Sequence, residues 1–391
     1  MNIKGQKYNY DDVSIVPDVA TTIKHRRECS CEVEEGMCPI WAAPMDTVIS
    51  EDNWKVFYDA NINVVIPRNV SYEKRISMLI DFSSLSANKC FVAFSLNEVR
   101  KMFKTKNEIT SILNSKIRST MFKGFRICID VANGHMMDQI NLISSIKKKH
   151  GDLVKIMGGN IANPDTYKLY NDAGCDYLRV GVGGGSGCLT SSNSSVFYPL
   201  FSLMKDTYYV KKSVNGKCKI IADGGIKGFR DIQKALIYAD YVMIGSLFNK
   251  AIESAAKTTY GSFYWNIRGM KVRRPLKSLL YYGRVVPAKN YDKVVELIKK
   301  NKLSVWKEFY GMSTKKAQMN IIEGNGGYVS QEKLKTSEGK VMYQKVEYSV
   351  QGWMRNELDY LRSAMSYTNS KNLEEYKEST WVSENRIVYN R

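Results

Sequence analysis

The sequence predicts an α/β protein: a (β/α)8 TIM barrel with a basic insertion and a mobile flap after strand 8. Two observations carry that expectation. Eight short apolar runs recur in series, and helical patterns fill the gaps between them. Glycine-rich segments then follow the later runs, at the strand ends where barrels of this kind bind ligands.

The runs are Pro39–Ala43, Ile62–Ile66, Cys90–Ser95, Phe125–Val131, Leu153–Met157, Tyr177–Val182, Lys219–Ala222 and Tyr241–Ile244. Most are continuously apolar, as parallel strands buried on both faces require. Glu51–Ala60 and Tyr72–Leu79 read as the first two helices. Asn163-Pro164 opens another and Gly174 closes it, with proline at the start and glycine just past the end. Arg230–Tyr238 fills the last gap and Asn356–Asn372 reads as a C-terminal helix, followed by a tail. An open doubly wound sheet is the competing architecture. No internal repeat is visible.

Residues 1–391 read as one barrel domain, within which 251–310 form a basic insertion and 314–345 a polar, mobile catalytic flap. The chain carries 58 Lys plus Arg against 39 Asp plus Glu, a net charge of +19. The insertion holds 13 basic and 4 acidic residues, so about half of the excess lies there. Such charge suits an anionic partner. Tyr281, Tyr282 and Trp306 interleave with its cations, as a nucleic-acid stacking site would, although a solvated helix and loop is the simpler reading. No apolar run is long enough to span a membrane, and the polar start lacks a signal-peptide core. A cytoplasmic protein with free thiols is therefore expected. Cys29, Cys31 and Cys38 lack the CxxC spacing of a zinc site, and Cys90, Cys128 and Cys218 sit in apolar runs as core thiols.

The strand ends carry the chemistry. Met45 and Asp46 follow the first strand, Asp130-Val131-Ala132-Asn133-Gly134 the fourth, and Gly183 to Cys188 the sixth. Asp223-Gly224-Gly225 follow the seventh and Gly245-Ser246 the eighth. Glycines there let backbone N–H groups approach an anion, and the last two loops are the common phosphate site of the fold. Asp223 is a short acceptor beside that site, placed for ribose hydroxyls. Cys188, on a glycine-rich loop of a basic protein, has the setting of a thiolate nucleophile, with Thr190 two residues on as a proton relay.

Taken together, these segments resemble the IMP dehydrogenase / GMP reductase family. The resemblance extends to Asn9-Tyr10-Asp11-Asp12-Val13, Pro44-Met45-Asp46-Thr47-Val48, Phe309-Tyr310-Gly311-Met312-Ser313 and Leu361-Arg362-Ser363-Ala364-Met365. Three features lean towards the reductases. No room exists between Pro67 and Cys90 for the regulatory CBS (Bateman) domains common in the dehydrogenases. Asp130 to Gly134 matches the reductase strand end, and Thr336-Ser337-Glu338-Gly339-Lys340 resembles the reductase flap. The dehydrogenases activate water with an Arg-Tyr pair in the flap, and residues 311–345 contain no Arg.

The resemblance implies reductive deamination of GMP to IMP and ammonia with NADPH, through a covalent Cys188 adduct. It assigns Cys188, Thr190 and Glu338 to catalysis. It assigns Met45, Ser186, Asp223, Gly224, Gly225, Gly245, Ser246, Tyr310, Gly311, Met312, Ser313, Ser337 and Gly339 to the nucleotide. Arg26, Arg68, Asp130, Val131, Ala132 and Gly183 fall to the cofactor. Potassium falls to Gly183, Gly185, Cys188 and Ser191. A homotetramer is implied, and IMP dehydrogenation with NAD is the alternative. The chain also departs from the family pattern. Gly184 stands for a proline, Leu189 for a smaller residue, Ser191 for an arginine, and Leu334-Lys335 for Tyr-Arg. Such changes are compatible with a deoxy or modified purine nucleotide.

Overall fold

The computed structural model describes residues 6–34, 36–85, 89–104, 107–115, 122–185, 187, 189–260, 262–267, 270–275, 291–300, 304–328, 334–337 and 339–384. After a short strand β1 (Val13–Val16), eight strands follow: β2 (Ile40–Ala42), β3 (Asn63–Ile66), β4 (Cys90–Phe94), β5 (Phe125–Ile129), β6 (Val154–Ile161), β7 (Tyr177–Val180), β8 (Lys219–Asp223) and β9 (Tyr241–Ile244). They form one closed, all-parallel barrel in which β9 pairs back onto β2. These are the eight apolar runs of the sequence, and β6 runs four residues further than its run, to Ile161. The expected barrel is the fold, not the open sheet.

Strand alternation builds two cores. Residues such as Ile40, Val64, Val92, Ile127, Leu178 and Val242 point out to the surrounding helices and form the larger core. Their neighbours Trp41, Val65, Phe91, Cys128, Tyr177, Ile221 and Tyr241 point inward and fill the barrel. The helix Tyr72–Phe82 shows how one element is fixed. Ser71 caps it by accepting from Lys74 N, and Met78, Leu79 and Phe82 face the core. Its Arg75 is fully buried, held by Glu98 at 2.7 Å and by the carbonyls of Val70 and Ala93 at 2.8 Å each. A buried cation is tolerable because each direction of its guanidinium fork finds an acceptor.

The segments after β9 differ from their sequence reading. The insertion contains strands β10 (Thr258–Tyr260), β11 (Ser262–Ile267) and β12 (Met270–Pro275), the helix Tyr291–Lys300, and β13 (Val305–Tyr310). β11 and β12 form an antiparallel hairpin, so the described part of this stretch contains strands as well as the expected helix. The flap segment opens with a helix, Lys315–Gly324, and ends in β14 (Val341–Lys345). β14 joins β10 and β13 in a three-stranded sheet. The C-terminal helix covers Val350–Tyr367 and a further one Leu373–Ser379. The expected tail contains β15 (Trp381–Glu384), which pairs with β1. No helix among the described residues is long and apolar enough to cross a membrane.

Candidate active site

At the C-terminal end of the barrel the inward positions change character. Arg179 follows Tyr177 by two residues, Asp223 follows Ile221, and Asp130 follows Cys128, so strand parity turns all three toward the axis. Arg179 is 4% exposed and bridges the two acids, at 3.1 Å from Asp130 Oδ1 and 4.0 Å from Asp223 Oδ2. Asn160, at the end of β6, donates to Asp223 Oδ2 at 2.7 Å. Arg68 donates to the Asp130 carbonyl at 3.0 Å and lies 3.7 Å from its carboxylate. Burial pushes the Asp223 pKa up; Arg179 and the Asn160 hydrogen bond oppose that rise.

Above this network lies a cavity of about 650 Å³, within the range of small-ligand sites. It collects most of the expected nucleotide residues: Met45, Asp223, Gly224, Gly225, Gly245, Ser246, Gly311, Met312 and Ser313. Arg68, Asp130, Val131, Ala132, Gly183 and Gly185 line it as well. Gly224 and Gly225 have φ of +98° and +74°, the left-handed region that favours glycine, and this turns their peptide groups at the mouth of β8. Leu200 packs against the Cα side of both Gly184 and Gly225, in space that a side chain at either would need. The glycine at 184, one of the departures noted above, therefore goes with the leucine at 200.

The flap meets the nucleophile loop. Cys188, Ser186 and Glu338 lie outside the described residues, but their neighbours are in contact. Lys340 N donates to the Gly187 carbonyl at 3.2 Å. A Cβ on Gly339 would stand 2.7 Å from Thr314 Cγ2 and 2.9 Å from the Gly187 oxygen. Ser337 Oγ donates to the Gly339 carbonyl at 2.9 Å. Thr190 opens the short helix Thr190–Ser194, in which Ser191 Oγ donates to the Gly183 carbonyl at 3.1 Å.

Two expected residues sit elsewhere. Tyr310 is buried; its hydroxyl donates to Asp46 at 2.9 Å, and Asn320 donates to the same carboxylate oxygen at 2.7 Å. Phe309 is the residue of that pair that lines the cavity. Arg26 lies in a 3-10 turn, half exposed and 3.3 Å from Asp359, away from the cavity. Sequence reasoning missed Arg179, Asn160 and His135. A lone charged residue in an otherwise apolar strand was the available signal for Arg179. His135 accepts from Ala162 N at its Nε2, at 3.0 Å, and its Nδ1 lies 3.1 Å from Thr166 Oγ1. That pairing fixes the tautomer with hydrogen on Nδ1, and burial lowers the pKa. Among the described residues no group of three His, Cys, Asp or Glu side chains could hold a metal ion, and the seven described cysteines are free and buried.

A glycine-looped mouth above a buried charge network makes this a ligand-binding (β/α)8 barrel with its site at the C-terminal strand ends. Residues 7–297 match the model of the IMP dehydrogenase / GMP reductase domain, and the chain belongs to that family. It is similar to the GMP reductase of Bacillus licheniformis, 29% identical over 256 residues, which cover 64% of this chain and 73% of that protein. The GMP reductase of Vibrio vulnificus is 25% identical over 343 residues, covering 88% and 82%. The inosine-5'-monophosphate dehydrogenase of Chlorobaculum parvum is 30% identical over 255 residues, covering 65% and 44%.

Proposed function

We propose that this chain catalyses the NADPH-dependent reductive deamination of GMP, or of a related deoxy or modified purine nucleotide, to IMP and ammonia. The observation that carries the reading is the junction of Lys340 with Gly187, which brings a residue two past the acid into contact with the residue just before the nucleophile. In this reading the Cys188 thiolate adds to carbon 2 of the purine. The carbon–nitrogen bond then breaks as Glu338, acting with Thr190, supplies a proton to the departing ammonia. Asp223 orients the ribose, and the backbone of Gly224, Gly225, Gly245 and Ser246 receives the phosphate.

Asp130, Val131, Ala132 and Arg68 line the cavity, and its volume suits a nicotinamide beside the purine. When bound, NADPH would supply a hydride to carbon 2, and the Cys188–carbon bond breaks with Cys188 leaving as the thiolate to give IMP. Arg68 would favour the extra phosphate of NADPH. Potassium would be held by the backbone oxygens of Gly183, Gly185 and Cys188 with Ser191, and oxygen donors suit that hard cation. Assembly as a homotetramer belongs to the same proposal.

The test mixes purified protein with GMP and NADPH and follows NADPH oxidation and IMP formation. Turnover that Cys188→Ala lowers by about 10⁴-fold or more is expected. No turnover with any purine nucleotide, or normal turnover by Cys188→Ala, sinks the reading. The alternative is IMP dehydrogenation, favoured by the Chlorobaculum relative; IMP with NAD is its test, and the flap without Arg predicts little product.

A second reading concerns the insertion. Residues 254–291 contain eight Lys or Arg and no Asp or Glu. The bordering acids are engaged elsewhere: Glu253 accepts from Val350 N, and Asp292 from Arg355. The β11–β12 hairpin within this segment sets Tyr264 opposite Arg273 and Asn266 opposite Lys271. A basic, aromatic ribbon suits single-stranded nucleic acid. RNA binding that weakens steeply with salt and disappears on deleting 262–275 supports this; binding unaffected by the deletion ends it.

A further inference from the structure

We infer that Gln318 is a positioning residue that holds the Glu338 segment over the nucleophile loop; its catalytic consequence rests on the function proposed above. The helix that carries Gln318, Lys315–Gly324, is held at both ends, at its start by a cap tied to the turn after β13 and past its end by the barrel. At its start Thr314 Oγ1 accepts from Ala317 N at 3.2 Å and donates to the Gly311 carbonyl at 2.8 Å. Just past its end, Asn325 Oδ1 accepts from the fully buried Arg75 at 2.9 Å, and its Nδ2 donates to the Arg68 carbonyl at 3.1 Å. Gly324 itself lies directly against the backbone of Asn69.

From this fixed helix the Gln318 amide reaches the flap backbone. Its Oε1 accepts from Lys335 N at 2.8 Å, and its Nε2 donates to the Lys335 carbonyl at 3.2 Å. The same nitrogen donates to the Ser313 carbonyl at 3.1 Å. One side chain thereby pairs with both backbone groups of Lys335, as a neighbouring strand would, and uses both N–H donors and the oxygen of its amide. On the far side of Glu338 the chain is tied again, by Lys340 N to Gly187. Glu338 lies three residues after one tie and two before the other.

This arrangement has a chemical consequence. A general acid must stand within hydrogen-bond reach of the departing nitrogen, and a misplacement of about 1 Å can cost 10²-fold. The Lys340 tie is a single backbone bond at the end of β14. The Gln318 tie is made by a side chain of a separate, anchored helix, so it can be removed without changing any side chain assigned to the substrate; the Ser313 carbonyl, which Gln318 also holds, loses one donor.

The experiment uses the full chain and Gln318→Met, which keeps the length and helix propensity of the side chain but not its amide. Amide hydrogen exchange is measured without ligand. Exchange across 334–340 is expected to quicken about 10-fold or more, with the barrel strands unchanged. Unchanged exchange there overturns the proposal, whatever the substrate proves to be. With GMP and NADPH the variant is expected to lose about 10- to 100-fold in kcat, with KM for GMP within about 2-fold. The single-turnover hydride transfer from IMP to NADP⁺ breaks no carbon–nitrogen bond, so it stays at the parental rate. An unchanged kcat, or an equal loss in the hydride step, overturns the positioning role. A parent chain that turns over no GMP removes the proposed function instead, and the exchange result still decides whether Gln318 holds the segment.

Discussion

The two ends of the barrel are made by the same strands and do opposite work. Where the strands begin, Trp41 meets Phe91, Tyr177 and Tyr241 at ring-centre distances of 5.3, 5.9 and 6.0 Å. All four are buried and close the axis with carbon. Two residues further along, the inward positions carry Arg179 and Asp223, and Asp130 where β5 ends, beneath an open cavity. The contrast teaches that one step of strand parity separates stability from chemistry. The aromatic layer keeps water from rising beneath the charged layer, and in that drier setting each charge–charge contact gains strength.

The largest expected effect comes from breaking the lower end. Trp41→Ala removes an indole at the centre of four interlocked rings, and the shared cavity left behind cannot collapse without moving the strands. Unfolding by denaturant should show a loss of about 3–5 kcal/mol. Nucleotide affinity of the molecules that remain folded should change by less than about 2-fold, because Trp41 lies below the charged layer rather than beside the ligand. If affinity falls in step with stability, the two ends do not act separately.

That layering was partly legible in the sequence. Continuous apolar runs such as Cys90–Phe94 and Tyr241–Ile244 announce buried parallel strands, and the glycine loops after β7, β8 and β9 announce the site. The pairing of β1 with β15 carries no such signal, because Val13 and Glu384 meet from opposite ends of the chain and neither short run says which partner it takes. Tyr310 shows another limit. The motif that contains it reaches the cavity, but parity gives the cavity to Phe309 and turns Tyr310 onto Asp46. Gln318 and Lys335 are seventeen residues apart, and only the folded path of the flap makes them partners.

A smaller effect sharpens the upper end. Arg179→Gln keeps a planar amide but removes the charge between Asp130 and Asp223. Losing a hydrogen bond to a charged group costs about 1.5–3 kcal/mol of stability, and with Asp223 less firmly placed kcat/KM should fall by about 10- to 100-fold. The pH dependence carries the finer information. Burial already holds the Asp223 pKa above its ordinary 3.8, and Arg179 is the largest force opposing that rise. Asp223 must be ionised to accept hydrogen bonds from both hydroxyls of a ribose. Removing Arg179 leaves burial and the Asp130 charge acting in the same direction, so the acidic limb of kcat/KM moves to higher pH. Asn160→Ala removes the smaller opposing contact and should move the limb the same way by less. Profiles recorded from pH 4 to 8 for the parent and both variants test the order. An unmoved limb in Arg179→Gln means that the charged layer is structural, and that the division between the two ends lies above Arg179 rather than below it.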